Sequence, residues 1–381
     1  MKETDIIAEL IRFLGETPRH DKDLIMGSMT TLPDPLSIYA YILFIHTNSA
    51  DPVIFRKIHE LEENLVREVG ESLFKADKPS GMVTSGGTES NYLAIVSAIR
   101  KYGRKTVVAP DTVHVSIRKA CILFGCKLKL IPARDKPVDP GQLEDYVRKY
   151  KPSIIVITAG TTERGLVDPV KEAGEIASRY DVWLHVDAAY GGLLVPFYHE
   201  RGIIDENLVF YEGVTSISVD FHKLGRAPIP SSLYIVAEPS YMDYVAYPVE
   251  YMPSGQTRGL LGTRPGASIV ATWAVWKKMG LNGYSKQAIR LHDLAIYLYE
   301  KLSAINNIDV LEPILPIIVF KHRRISSHNL LRLLLEHGVY VYKAPTFKAL
   351  RIVMMPHLSE NHIEMFIEKL ETILDRLEEK G

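Results

Sequence analysis

Ser153-Ile-Ile-Val-Ile-Thr158 and Val182-Trp-Leu-His-Val186 are short, almost wholly apolar segments, separated by the helical pattern of Val170–Tyr180. Apolar runs of this length beside a helix predict buried strands of a mostly parallel sheet whose faces are both covered by helices. The same alternation continues upstream, with strands and helices predicted in turn at 106–109, 116–124, 127–132 and 139–150. The sequence therefore predicts an α/β fold, in which ligands bind at the carboxyl ends of the strands.

Three polar motifs lie in or beside this pattern. They are Asp187-Ala-Ala-Tyr-Gly-Gly192, Thr84-Ser-Gly-Gly-Thr-Glu-Ser-Asn91 and Ser216-Ile-Ser-Val-Asp-Phe-His-Lys223. A loop of small residues that opens a helix is suited to bind phosphate, and a carboxylate raises the pKa of a nearby ring nitrogen. A partly desolvated lysine amine forms a Schiff base with an aldehyde. Together these are the three parts that pyridoxal 5'-phosphate (PLP) requires.

The motifs, in this order, resemble those of the group II PLP-dependent amino-acid decarboxylases of fold type I. The chain is most similar to the archaeal L-tyrosine/L-aspartate decarboxylases, over a stretch from about Pro52 to His357. The resemblance implies a fold type I PLP-dependent transferase-like architecture. We expect an N-terminal helix and arm at 1–50, a large PLP-binding domain with a mostly parallel sheet at 51–283, and a smaller α+β C-terminal domain at 284–381.

The resemblance also implies roles for individual residues. Lys223 would bind the cofactor covalently, and Asp187 would keep the pyridine nitrogen protonated, so that the ring accepts the electrons left when CO₂ departs. His114 and Ala189 would lie on the two faces of the ring, with a hydroxyl of Thr161 or Thr162 beside it. Gly87 and Thr88 are the expected phosphate contacts. Further candidate donors to the phosphate are Ser218 and His222 of the same chain, and Thr263 of the partner subunit. Arg351 is the expected ligand of the substrate carboxylate, because its guanidinium matches a carboxylate. Tyr247 and Tyr251, in a segment predicted to be a mobile loop, are candidates for protonating the α-carbon.

Other interpretations of these residues stay open at this stage. Taken alone, 84–91 is an ordinary helix cap and Lys223 a surface lysine at the end of a strand. His185, Asp187 and His222 could in principle hold a metal ion in a hydrolase, although the prediction is that no metal binds. Asp220 departs from the resembling enzymes that carry a neutral residue at this position. Its carboxylate would repel the phosphate if it pointed toward it. A catalytically silent relative is disfavoured because Lys223 and Asp187 are both present.

Composition excludes several other classes of protein. The 381 residues carry a formal net charge of −1, which provides no field for binding nucleic acid or an anionic membrane. The longest apolar run, 36–45, is shorter than the roughly 20 residues that span a bilayer. Cys121 and Cys126 provide no disulfide framework and suit a reducing cytoplasm. We expect a cytoplasmic homodimer, because Leu261–Gly266 matches the family segment that reaches the neighbouring subunit's phosphate.

The substrate is the least determined part of the prediction. The resemblance allows L-aspartate, giving β-alanine for coenzyme A supply, or L-tyrosine, giving tyramine, and we favour aspartate. An aspartate site needs a second cation, for which Arg351, Lys348, Arg258 and Arg264 are candidates. A PLP-dependent carbon–carbon lyase resembling sphingosine-phosphate lyase is the alternative chemistry. Residues 27–51 are expected to be turn-rich, and the apolar face of a helix at 2–15 is expected to pack on a partner subunit or on the other domain.

Overall fold

The computed structural model describes residues 2–378 and contains a large central sheet, a smaller sheet and two short strand pairs. The strands are β1 (Leu24–Ile25), β2 (Ser80–Thr84), β3 (Thr106–Pro110), β4 (Lys127–Ile131), β5 (Ile154–Thr158), β6 (Trp183–Asp187), β7 (Val214–Val219), β8 (Ser232–Val236), β9 (Ala246–Pro248), β10 (Gln256–Arg258), β11 (Ile308–Leu311), β12 (Ile317–His322), β13 (Val339–Tyr340), β14 (Tyr342–Ala344) and β15 (Ala349–Val353).

The α-helices cover both faces of the central sheet or build the smaller C-terminal layer. They are α1 (Glu3–Glu16), α2 (Pro35–Leu43), α3 (Arg56–Ser72), α4 (Gly87–Tyr102), α5 (Val115–Phe124), α6 (Pro140–Tyr150), α7 (Val170–Tyr180), α8 (Val195–Glu200), α9 (Gly266–Ser303), α10 (Ser327–Glu336) and α11 (Glu360–Glu378). Among residues 2–378, no helix combines the length and the apolar composition needed to cross a membrane.

The central sheet has seven strands in the order β2-β8-β7-β6-β5-β3-β4. Strand β8 runs antiparallel to both of its neighbours, and all the other pairings are parallel. Every residue of β5, β6, β7 and β8 is buried, as expected for strands covered on both faces. The predicted mostly parallel α/β sheet is therefore confirmed, with β2 and β8 as strands that the apolar pattern had not revealed.

Helix α2 corrects the expectation of a turn-rich segment at 27–51. The Asp34 side chain accepts a hydrogen bond from the Leu36 N–H and Pro35 stands at the first helical position, which is a favourable helix start. Tyr39 and Ile42 are largely exposed in the single chain, at 61% and 60%. The helix was missed because its apolar residues do not form one stripe against a buried face.

The second layer is a four-stranded antiparallel sheet in the order β11-β12-β15-β14, packed with α10 and α11. The two helices expected before it form the two halves of α9, interrupted at Gly280, whose φ of 55° and ψ of −179° are non-helical. A positive φ of this kind is readily adopted by glycine. The break lies beside the proposed boundary at 283/284, and the domain division itself stays a proposal. The predicted end of the last helix at residue 379 lies outside the described residues.

The N-terminal arm joins the two layers. Strand β1 pairs in parallel with β13, and the Val353 N–H donates to the carbonyl of Met26. Helix α1, in contrast, has no buried residue in the single chain, and its Leu10 and Ile11 are 59% and 66% exposed. The apolar face expected to pack against a partner subunit or another domain is therefore uncovered within one chain.

Candidate active site

A cavity of about 320 Å³ lies at the carboxyl ends of β5, β6 and β7. Parallel strands bring their carboxyl ends to one edge, which is where the polar residues after each strand meet. The structure brings together seven of the residues selected from the sequence at the wall of this cavity: Gly87, Thr88, His114, Asp187, Ala189, His222 and Lys223. Thr162, the alternative to Thr161, lines it as well.

Asp187 ends strand β6 and is 5% exposed. Its Oδ2 accepts a hydrogen bond of 2.7 Å from the Asn91 amide, and its Oδ1 accepts one of 3.1 Å from the Ala189 N–H. Sequence reasoning missed Asn91, although it ends the quoted 84–91 motif. The Asn91 amide lies between Asp187 and His185 and is hydrogen-bonded to both side chains.

Lys223 forms an ion pair with a carboxylate buried beneath it. Its Nζ lies 2.9 Å from Oδ2 of Asp220, a residue that is 3% exposed, and His222 Nε2 lies 3.5 Å from the same oxygen. Burial pushes the pKa of Asp220 upward, but Lys223 and His222 outweigh it, so the pKa stays below the ordinary aspartate value. Asp220 is therefore ionised, and Lys223 is its ion-pair partner.

The loop before α4 is shaped for close approach of an anion. Gly86 has a φ of 153°, and a Cβ on Gly87 would lie 3.0 Å from the Ala189 Cβ and 3.3 Å from Asp220 Oδ1. A Cβ there would be crowded on both sides, and its absence leaves the start of the 16-residue helix α4 open to the approach of an anion. With a carboxylate, a small alanine, an imidazole and a lysine around the same cavity, the side chains present fit PLP.

His114 caps α5, and its Nδ1 lies 2.9 Å from Ser116 Oγ. Burial lowers its pKa more than nearby Asp187 and Asp220 raise it, so the imidazole is neutral near pH 7. A neutral ring presents an uncharged face to the cavity, as a stacking partner does.

Other residues selected from the sequence lie outside the wall of the cavity. Ser218 is fully buried in β7, and its Oγ has no hydrogen-bond partner among the described residues. Thr161 accepts a hydrogen bond from the Leu166 N–H and lines the neighbouring cavity. Arg351 does not line the cavity, but it contacts a residue that does. Its Nη1 donates to the carbonyl of Thr162 at 2.5 Å. Thr263 is exposed on the surface of the single chain.

Neither candidate tyrosine lines the cavity of its own chain. Tyr247 lies in β9, with the Arg100 guanidinium 4.8 Å from the centre of its ring. Tyr251 is 89% exposed between β9 and β10, which form an antiparallel pair. Their role in protonating the α-carbon stays a prediction.

A second cavity of about 600 Å³ adjoins the first, and His114 and Thr162 line both. Three arginines line it, namely Arg118, Arg134 and Arg164, and none of them forms an ion pair within residues 2–378. Its two carboxylates, Asp111 and Glu163, accept backbone N–H groups instead. This second cavity, called the outer cavity below to distinguish it from the inner cavity at the strand ends, thus has three arginines against two carboxylates, a formal excess of one positive charge. Sequence reasoning did not select any of these arginines.

The cations chosen from the sequence for a second carboxylate lie elsewhere. Arg264 is buried and its Nη1 lies 2.7 Å from Oε1 of buried Glu62, while Arg258 lines a different cavity. Lys348 is exposed. Among the described residues, no group of three or more His, Cys, Asp or Glu side chains is arranged to hold a metal ion.

Removing the carboxylate of the Glu62–Arg264 pair should strongly destabilise the fold. We expect Glu62→Ala to lower the free energy of unfolding by about 3–5 kcal/mol, because it leaves a buried guanidinium unpaired. Urea denaturation measures this change. Glu336→Ala is the matched control, since it breaks the exposed Arg332–Glu336 pair and should cost no more than about 1 kcal/mol. Equal losses in the two variants would contradict the prediction.

A family model described as the pyridoxal-dependent decarboxylase conserved domain matches residues 55–323. The chain belongs to the pyridoxal-dependent decarboxylase family. A probable L-tyrosine/L-aspartate decarboxylase of Methanothermobacter thermautotrophicus is 37% identical over 353 residues, which cover 92% of this chain and 97% of the relative. A probable L-aspartate decarboxylase of Archaeoglobus fulgidus is 34% identical over 376 residues, or 98% of this chain and 100% of the relative.

Solved structures that are similar to this chain have the same architecture. A sphingosine-1-phosphate lyase of Burkholderia pseudomallei superposes with a TM-score of 0.86 at 25% identity, covering 98% of this chain and 91% of that one. A glutamate decarboxylase of Lactobacillus brevis gives 0.82 at 20% identity, covering 98% and 93%. The predicted resemblance and the fold type I architecture are confirmed. The chain is thus a PLP-dependent amino-acid decarboxylase.

Proposed function

We propose that the enzyme decarboxylates L-aspartate, yielding β-alanine and CO₂, and so supplies a precursor of coenzyme A. The observation that carries this proposal is the outer cavity, where Arg118, Arg134 and Arg164 face a space shared with the inner cavity through His114. A substrate with a second carboxylate needs cations, because an unpaired buried carboxylate costs several kcal/mol. A relative named as a probable L-aspartate decarboxylase supports the same substrate.

Eight residues of the inner cavity have a defined part in this proposal. Bound PLP supplies a ring that accepts the electrons released when CO₂ leaves. Lys223 attaches the cofactor, and Asp220, at 2.9 Å, holds a proton on its Nζ when the amine is free. Asp187 would accept a hydrogen bond from the ring nitrogen. His114 and Ala189 would enclose the ring, and Gly87, Thr88 and His222 would bind the phosphate.

Arg351 is proposed to bind the substrate's α-carboxylate. It already holds the Thr162 carbonyl, and burial lowers its pKa more than Tyr190 and Glu163 raise it, which indicates a poorly hydrated cation. A poorly hydrated guanidinium gains more from a carboxylate than an exposed one does. Thr162 then links this cation to the wall that both cavities share.

The test is to supply L-aspartate, L-glutamate and L-tyrosine separately to the PLP-loaded enzyme and to measure CO₂ and the amine formed. We expect β-alanine from aspartate to be the fastest product. L-Tyrosine is the second candidate, because relatives carry the joint name L-tyrosine/L-aspartate decarboxylase. Tyramine as the faster product would replace aspartate with tyrosine. A PLP enzyme that releases no CO₂ from any of the three would favour the carbon–carbon lyase.

Neutralising the outer arginines should affect an acidic substrate selectively. We expect Arg118→Gln combined with Arg134→Gln to lower kcat/KM for aspartate by roughly 3- to 10-fold, because each exposed charge contributes at most about 1 kcal/mol. The dependence of kcat/KM on salt should weaken in parallel, while kcat/KM for tyrosine stays unchanged. Lys171→Gln, which removes an exposed cation on α7, is the control. An unaltered aspartate rate would contradict the role of the outer cavity.

We further propose that the enzyme is a cytoplasmic homodimer. Exposed apolar residues on α1 and α2, including Leu10, Ile11 and Ile42, provide a surface that a second copy would cover, and the two cysteines are free thiols. Light scattering should give twice the 42.9 kDa of one chain. Leu10→Glu with Ile11→Glu should shift the enzyme toward monomer, whereas Arg12→Glu at an exposed position on the same helix should do so less. A monomeric unsubstituted enzyme would refute the dimer.

A further inference from the structure

A chain of buried hydrogen bonds lies beneath the inner cavity and converges on Asn91 of α4. Asn91, Ser116, His185 and Ser216 are all fully buried, and the Asn91 side chain contacts three of the groups around it. Its Nδ2 lies 2.7 Å from Asp187 Oδ2 and 2.8 Å from Ser116 Oγ, and its Oδ1 lies 2.8 Å from His185 Nε2. One amide therefore uses both of its N–H bonds and its oxygen.

The direction of each hydrogen bond follows from the ends of the chain. Oδ2 of Asp187 accepts from Asn91, so the NH₂ group of Asn91 faces it and the amide oxygen faces His185. His185 must then carry its proton on Nε2, and its Nδ1 accepts from the Ser216 hydroxyl at 2.8 Å. Ser216 in turn accepts from Trp183 Nε1 at 2.8 Å. Burial lowers the pKa of His185 to about 4, so the ring is neutral. Its two hydrogen bonds then select one tautomer.

The second N–H of Asn91 connects, through Ser116, to another histidine. Ser116 Oγ accepts from Asn91, which leaves its hydroxyl proton for His114 Nδ1 at 2.9 Å. The Ser116 backbone N–H also faces His114 Nδ1, at 3.3 Å. His114 therefore has an unprotonated Nδ1 and carries its proton on Nε2.

We propose that Asn91 is a positioning residue for Asp187: its amide N–H holds Asp187 Oδ2 in place, and His185 fixes the orientation of the amide. The proposal rests on the role given above to Asp187. A side chain without donors at position 91 would leave Asp187 Oδ2 buried without the hydrogen bond that orients it. The carboxylate would then no longer be held in the position proposed for it beside the ring nitrogen.

Two substitutions separate the parts of this network. Asn91→Leu removes both donors and the acceptor, whereas Asn91→Asp removes the donors and keeps an acceptor for His185. ¹⁵N NMR of the 13 histidine rings in the cofactor-free enzyme reports the tautomers, with the His185 signals assigned by their loss in His185→Gln. We expect a single Nε2–H tautomer for His185 in the unsubstituted enzyme and in Asn91→Asp. A mixture of tautomers is expected in Asn91→Leu.

The dissociation constant for PLP provides the second measurement. We expect it to rise roughly 10- to 100-fold in both Asn91 variants, the range expected for one hydrogen bond to a charged group. Ser97→Ala, at a fully buried position on the same helix, is the matched control and should leave the constant unchanged. Thermal unfolding of each cofactor-free variant shows whether it is folded, and if Asn91→Leu is not, Asn91→Asp alone decides.

The outcomes distinguish this inference from the proposed function. PLP affinity and His185 tautomer both unchanged in Asn91→Leu would overturn the role of Asn91, and so would unchanged PLP affinity in Asn91→Asp. Asp187→Asn serves as the reference for the site itself. If Asp187→Asn also binds PLP normally, the assignment of Asp187 fails. If only Asp187→Asn weakens PLP binding, Asp187 keeps its role and Asn91 loses the one proposed here.

Discussion

Lys223→Ala is expected to abolish turnover of every amino acid that the enzyme decarboxylates. The variant loses the amine that attaches the cofactor, and Asp220 beneath it loses the cation at 2.9 Å. We expect the rate to fall by a factor on the order of 10³ or more, since a positioned proton-transfer group alone contributes 10²- to 10⁴-fold. Borohydride treatment should leave PLP covalently bound to the unsubstituted enzyme and not to the variant.

The control for this experiment is Lys171→Ala, which removes an exposed lysine at the start of α7. It should retain both full activity and borohydride-fixed cofactor. Full turnover by Lys223→Ala, with the cofactor still fixed by borohydride, would refute the assignment of the cofactor-binding lysine. Loss of covalent cofactor with retained turnover would show that attachment and catalysis depend on different groups.

Asp187→Asn should have the second largest effect. The substitution keeps the shape of the side chain but removes the charge that faces the ring nitrogen. Two unit charges about 4 Å apart interact by about 4 kcal/mol at an effective dielectric constant of 20, which corresponds to roughly 10³-fold. We therefore expect kcat to fall by about that factor, measured as CO₂ release at saturating PLP.

A matched variant tests whether the charge or the geometry matters. Asp168 is also a fully buried aspartate, but it accepts the backbone N–H groups of Val138 and Thr158 and does not line the inner cavity. Asp168→Asn should lower stability and leave kcat of the folded enzyme nearly unchanged. A small effect of Asp187→Asn on kcat would remove Asp187 from its electronic role.

The sequence predicted those parts of the site that follow directly from the ends of strands. Asp187 and Lys223 were found because an apolar strand stops at a polar residue, and the loop at 84–91 because small residues open a helix. Asn91 could not be assigned a role in this way, since its importance depends on Asp187, 96 positions away, and on His185. A signal existed, namely an amide on the first turns of the helix that follows the loop.

The outer arginines and the Glu62–Arg264 pair show a second limit. Arg134 and Arg164 lie in loops, where no periodic pattern reveals which way a side chain points, and Arg134 has a positive φ of 50°. Arg264 belongs to a motif that resemblance associates with the neighbouring subunit's phosphate. Its actual partner, Glu62, is 202 residues distant and became evident only from packing.

The N-terminal arm has a consequence for how this enzyme can be divided genetically. Met29 lines the inner cavity, while β1 just before it is hydrogen-bonded to β13 of the C-terminal layer. A clone limited to residues 51–283 would contain the family motifs, yet it would lack a wall of the cavity and the strand that Leu24–Ile25 joins. The segment from β1 to Met29 therefore connects the C-terminal layer to the inner cavity, and we expect a fragment that keeps the cavity intact to begin at or before β1.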